Sequence, residues 1–211
     1  MPNPSWHQRA INATMPKIVV PEDRRKAVSE AVVRVVRRCG VEGATLGNVA
    51  KEAGLAIGSI RHYFADHEAM MIFTMDQLGH RIGERVAARA DRLLAAETGR
   101  RTLVEDLLAE FLPLDDERRD EAMAWLAFTV AARTRPAFRA SADAQHQYLR
   151  DLITRILREA VALGRLPEEL DLTVESVRLS ALLDGLTMQA VLHPESMPPE
   201  LLRDALRRSL P

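Results

Sequence analysis

Cysteine occurs once, at Cys39, so the chain cannot close an internal disulfide, and a reducing cytoplasm is its expected setting. No stretch approaches the roughly 18 consecutive apolar residues of a membrane span, and the N-terminus lacks the apolar core of a signal peptide. Aromatic residues make up only 4% of the chain and β-branched runs are short, whereas Ala, Leu, Arg and Glu dominate. That balance predicts an all-α fold. The histidines at 7, 62, 67, 80, 146 and 193 show no paired metal spacing, and no cysteine cluster accompanies them. There is no Gly-rich phosphate loop, no G-x-S-x-G elbow and no nucleophile beside an obvious base. Neither a metal, a cofactor nor an enzymatic activity is expected.

What is present is enough apolar sequence, 47% of 211 residues, to bury a real core beneath a surface supplied by 28% charged residues. A net charge of −1 conceals an asymmetry: residues 1–64 carry ten Lys/Arg against five Asp/Glu, and residues 65–211 carry nineteen against twenty-five. A head of +5 on a body of −6 points to a local contact with a polyanion.

Residues 1–20, with three prolines and a lone Trp6, form no apolar period and read as a flexible arm in which Met15 is a second candidate start. Pro21-Glu22-Asp23 opens a first helix whose Val28, Val32, Val35 and Cys39 recur at helical spacing until Gly40. Cys39 is expected to be a small buried residue, and Arg34, Arg37 and Arg38 a solvated face. Thr45 caps a short helix from Leu46 to Ala53, Gly54 makes the turn, and a second short helix runs from about Ile57 to Phe64. Asp66 caps a helix reaching about Ala96, roughly 45 Å long at 1.5 Å per residue. Further helices are predicted at about Thr102–Phe111, Arg118–Thr134, Pro136–Leu163, Thr173–Leu192 and Pro199–Leu210, nine in all. The expected division is an arm over 1–20, a head over 21–66 and a body over 67–211.

Two short helices meeting at a glycine within Thr45–Phe64 have the layout of a helix-turn-helix. Val49 and Ala53 would face Leu55, Ile60 and Phe64, with Ala50 permitting close approach. If Ile60 and Phe64 point inward, 100° per residue turns Gly58, Ser59 and His62 outward and sets Arg61 and Tyr63 on the flanks. Ser59 and His62 can meet base edges, while Arg61 can read guanine or hold a phosphate. The candidate DNA-contacting set is Thr45, Asn48, Lys51, Ile57, Gly58, Ser59, Arg61, His62, Tyr63 and His67.

Thr45, Val49, Ala50, Gly54, Gly58, Ser59, Ile60, Phe64, Asp66 and Glu68 stand in the register of the tetracycline-repressor (TetR) family, which residues 22–75 resemble. Met15-Pro16-Lys17 and Arg61-His62-Tyr63-Phe64 are similar to its choline-repressor (BetI-like) branch. Two positions depart from the pattern, because Arg61 replaces a common tyrosine and His67 a common lysine.

The resemblance implies an effector pocket within the helical body and a dimer interface of four helices, two from each subunit. Met and aromatic walls suit an apolar or amphipathic small molecule. Trp125, Phe128, Thr129, His146 and Met188 are the candidate lining. Ala181, Gly185, Met188, Leu202 and Leu206 are the candidate dimer residues, the alternative for these last helices being packing within one chain. Asp184 and Gln189 would orient a ligand or sit at the seam. The expected function is a homodimeric repressor released from a palindromic DNA operator by its effector. A helical binding protein without DNA activity and an enzyme of unrecognised type are the alternatives.

Overall fold

The computed structural model describes residues 21–211 except Glu97, so the expected arm, with Trp6 and Met15, lies outside the described residues. Every regular element among them is helical. Helix α1 (Pro21–Gly43) begins with the acidic first turn read from Glu22 and Asp23, which favours the positive end of a helix.

Gly40, expected to end α1, breaks it instead: φ 69° and ψ 179° kink the chain, and a further turn follows. The kink explains why Cys39 is exposed rather than buried, because the inward stripe of Val28, Val32 and Val35 stops there. The returning turn brings Gly43 against it, where an added Cβ would collide with Cys39 Cβ. Only glycine fits at 43.

Helices α2 (Leu46–Ala53) and α3 (Ile57–Tyr63) follow their expected bounds closely. Thr45 Oγ1 accepts the Asn48 N–H at 3.2 Å, and Gly54 takes the left-handed conformation that closes α2. Asp66 likewise caps α4 (His67–Ala95), its carboxylate accepting the Ala69 N–H at 2.8 Å. Helix α5 (Arg100–Leu108) runs into a 3-10 turn, Ala109–Phe111. Asp115 caps α6 (Asp116–Ala132), so the acidic cluster opens that helix rather than preceding it. Helices α7 (Pro136–Ala162), α8 (Leu172–Leu192) and α9 (Pro199–Ser209) complete the chain. Prolines in the first turns of α7 and α9 occupy positions where a missing N–H costs nothing.

Two apolar clusters hold these helices. The first joins α1, α2 and α3 to the start of α4 and to Ala124, Phe128, Ala132 and Phe138. It therefore continues across residues 66 and 67, where the head was expected to end. The second gathers Val86, Leu107, Leu108, Leu152, Ile153, Leu179, Leu202 and Leu206 at the far end. Helix α6 belongs to the first cluster by one stripe, four residues apart at Ala124, Phe128 and Ala132.

Candidate nucleic-acid interface and effector cavity

Ile60, completely buried, and Phe64 anchor α3 to α1 and α2, with Val49 and Ala50 against them. This anchoring decides the opposite face. Gly58, Arg61 and His62 are exposed, Ser59 and Tyr63 half-buried, and Ile57 is 45% exposed. An added Cβ at Gly58 would meet nothing within 4 Å, so the glycine leaves an open surface on the helix. The His62 ring lies edge-on to Tyr63, with centroids 5.2 Å apart.

Lys51 is exposed on α2 and His67 half-buried at the start of α4. Thr45 and Asn48 are exposed but already engaged: besides the cap, Asn48 Nδ2 donates to the Gly43 carbonyl at 2.8 Å. The structure thus places the ten candidate DNA residues around one end of the molecule.

The arginines of α1 form the solvated face expected, and each is also paired. Arg34 Nε lies 2.7 Å from Glu52 Oε1, Arg38 pairs with the same carboxylate, and Arg37 reaches Asp120 on α6 at 2.8 Å. Hydrogen bonds from Arg38 first and Arg34 second pull the Glu52 carboxyl down to about 2. A residue that the spacing did not signal is Arg25. Its guanidinium carbon lies 4.2 Å from the Phe73 ring centroid and 5.3 Å from that of Phe64, tying α1 to the junction of α3 and α4.

Between the two apolar clusters lies a cavity of about 470 Å³ walled by α4, α6, α7, α8 and the 3-10 turn. Ala122, Trp125 and Thr129 reach it from the second stripe of α6, and His146 and Tyr148 from α7. Of the five expected lining residues, Trp125, Thr129 and His146 are on the wall and two are not. Phe128 is 1% exposed inside the first cluster, because one residue before Thr129 turns it toward α1. Met188 is 40% exposed on the outer face of α8, one residue beyond the wall residue Thr187.

The wall also carries charges that periodicity did not reveal. Glu110 and Glu121 are nearly fully buried, and each is held by arginines. Glu110 meets Arg85, Arg89 and Arg118 at 2.9 to 3.2 Å, and Glu121 meets Arg81 and Arg85 at 2.7 to 3.1 Å. Such pairing is what permits carboxylates in a dry interior. Asp184 differs, having no ion pair or side-chain hydrogen bond among the described residues. Burial pushes its carboxyl up, with the charge of His146 opposing. An acid flanked by apolar sequence, as Glu110 is by Ala109 and Phe111, was the available signal for this network.

Helix α4 couples cavity to head directly, because its middle forms the wall and its first turn continues from α3. Gln145 of α7 reinforces it, donating to the Met75 carbonyl at 2.9 Å, while Gly79 leaves room for that side chain.

The expected dimer residues divide. Leu202 and Leu206 are fully buried within one chain, because they form the inward stripe of α9 against α5 and α8. Ala181 and Met188 are exposed and Gly185 is half-buried. Val174, Val177, Leu192 and Leu201 add further exposed apolar surface on α8 and α9.

Comparison with known proteins agrees with this architecture. Residues 100–211 match the family model of the BetI-type transcriptional repressor C-terminal domain. The HTH-type transcriptional regulator PksA of Bacillus subtilis is 37% identical over 182 residues, covering 85% of this chain and 84% of its own. The HTH-type transcriptional regulator BetI of Cronobacter sakazakii is 29% identical over 180 residues, covering 84% of each. A crystal structure of a transcriptional regulator from Rhodococcus sp. Rha1 superposes with a TM-score of 0.72 at 28% identity, over 88% of this chain and 92% of that one. These relatives are regulators, not enzymes. With its helix-turn-helix, its long α4 and its matched helical body, the chain belongs to the TetR family of transcriptional regulators and carries a BetI-type C-terminal domain.

Proposed function

We propose that the protein is a cytoplasmic homodimeric repressor that leaves a palindromic operator when a small amphipathic molecule fills the body cavity. The observation that carries this reading is the exposed polar face of α3, held outward by buried Ile60 and Phe64. In it Arg61, His62 and Ser59 enter the major groove, the open surface at Gly58 lets the backbone approach, and Thr45, Asn48, Lys51, Ile57, Tyr63 and His67 contact phosphates or the groove edge. The division of labour is a head over 21–66 and an effector and dimer body over 67–211.

The dimer seam is the exposed apolar face of α8 with Leu201 of α9, in which Ala181, Gly185 and Met188 are retained from the expected set and Leu202 and Leu206 act from beneath. A two-fold axis would make that face self-complementary and present two α3 helices to successive major grooves.

The effector lies among Trp125, Thr129, His146 and Tyr148, with its polar end toward Asp184, a part-buried wall carboxylate without an ion pair among the described residues. Binding there favours a different tilt of α4 and so separates the two heads, a population shift whose coupling must be reciprocal.

The test is a gel shift on DNA upstream of the protein's own gene. Retention should be strong at low salt and fall steeply as salt rises, because phosphate contacts release counterions. A folded protein that retains no such fragment at low salt removes the reading.

A further inference from the structure

A second cavity, of about 240 Å³, lies in the far apolar cluster between α5, α7, α8 and the segment Leu210–Pro211. Its floor is aliphatic, with Val104, Leu108, Ile153, Leu157 and Leu179 among the contributors. Three arginines, Arg100, Arg101 and Arg165, stand in its lining, and no Asp or Glu does. That is the reverse of the first cavity, where the wall arginines meet buried carboxylates.

The three guanidinium groups are not equally free. Arg101 donates to the main-chain oxygens of Leu210 and Pro211 at 3.2 and 3.4 Å. Arg100 uses Nε on the Ala96 carbonyl, and its Nη1 has only the exposed Glu159, 4.0 Å away. Arg165 has no ion pair among the described residues. Two cations in the lining of an aliphatic pocket are therefore left, among the described residues, without a close counter-charge.

We propose that this second cavity binds an amphipathic monocarboxylate, its apolar body in the floor and its carboxylate between Arg100 and Arg165. The floor supplies the water-releasing surface that a hydrocarbon chain seeks, and a guanidinium fork matches a carboxylate with two parallel hydrogen bonds. The site is separate from the effector cavity yet adjacent to it. Leu179 lines the second cavity and Leu183 the first, one turn apart on α8, and Ile153 and Leu149 divide in the same way on α7. One layer of side chains lies between the two.

Octanoate is the probe, titrated calorimetrically into the full chain without DNA. One molecule should bind per chain, with octanol and octylamine, which keep the tail and change the head, at least about tenfold weaker. Arg100→Gln with Arg165→Gln should weaken octanoate by about tenfold, because these bonds are charge-assisted. Ala160→Phe, which fills the lining from α7, should abolish binding while circular dichroism remains that of the parent. No octanoate heat, equal binding of octanol, or binding that survives both the arginine and the Ala160 variants overturns the proposal. Operator retention is measured without octanoate, so the repressor reading stands or falls separately.

Discussion

The outward face of α3 and the wall of the body cavity treat polar groups in opposite ways. On α3, Arg61 and His62 point to solvent and make no ion pair among the described residues. In the cavity, Glu110 and Glu121 are buried only because arginines from α4 and α6 surround them. A surface built to meet a polyanion keeps its donors free, whereas a dry interior keeps charge only when the counter-charge comes with it. The α1 arginines stand between the two cases: exposed, yet paired with Glu52 and Asp120, they brace the head from its solvent side.

The comparison breaks most readily at Glu110. Replacing Glu110 by Ala leaves Arg85, Arg89 and Arg118 without their shared partner and should cost about 3–5 kcal/mol in urea unfolding. Equal losses from Glu110→Ala and from Glu52→Ala would erase the distinction between buried and exposed pairs. Arg61→Ala should lower operator affinity by about 1–3 kcal/mol if it reads guanine, with an unchanged melting temperature. An unaltered operator titration would remove Arg61 from the contact set.

A smaller effect is expected at Asp184. Burial raises its carboxyl, so the stabilising neutral form is fully present below the ordinary value of 3.8 and is lost as pH rises through the folded-state value. Asp184→Asn should therefore raise the melting temperature at pH 7, and the gain should fade in acid, where Asp184 is itself neutral. A pH-independent gain would mean that charge is not the cause.

The smallest effect belongs to Glu52, which has the opposite sign. Its stabilising charge is complete above the ordinary 4.5 and is lost as pH falls toward about 2. Glu52→Gln should lower stability slightly at neutral pH, the loss being small because the pair is solvent-screened, leave strong acid unchanged, and so flatten the acid limb of a stability profile.

The head was legible because its determinants are local. Thr45, Gly54 and Asp66 act within four residues of themselves, and the inward positions Val49, Ile60 and Phe64 repeat at helical spacing within twenty residues. The cavity was only half legible. Trp125 and Phe128 are three residues apart, and both look like wall candidates until α1 is known to cover one side of α6. Leu202 and Leu206 likewise read as interface until α5 is seen beneath them. Arg81 and Glu121 meet across 40 positions, and no period along either helix encodes that meeting.

Helix α6 is shared by head and cavity without mixing the two. Ala122, Trp125 and Thr129 can drift toward a new small molecule while Ala124, Phe128 and Ala132 keep their seat against α1. With the effector seated in this cavity as proposed, descendants of such a protein can acquire a new chemical trigger by a few substitutions on one side of a single rod, and inherit the response intact.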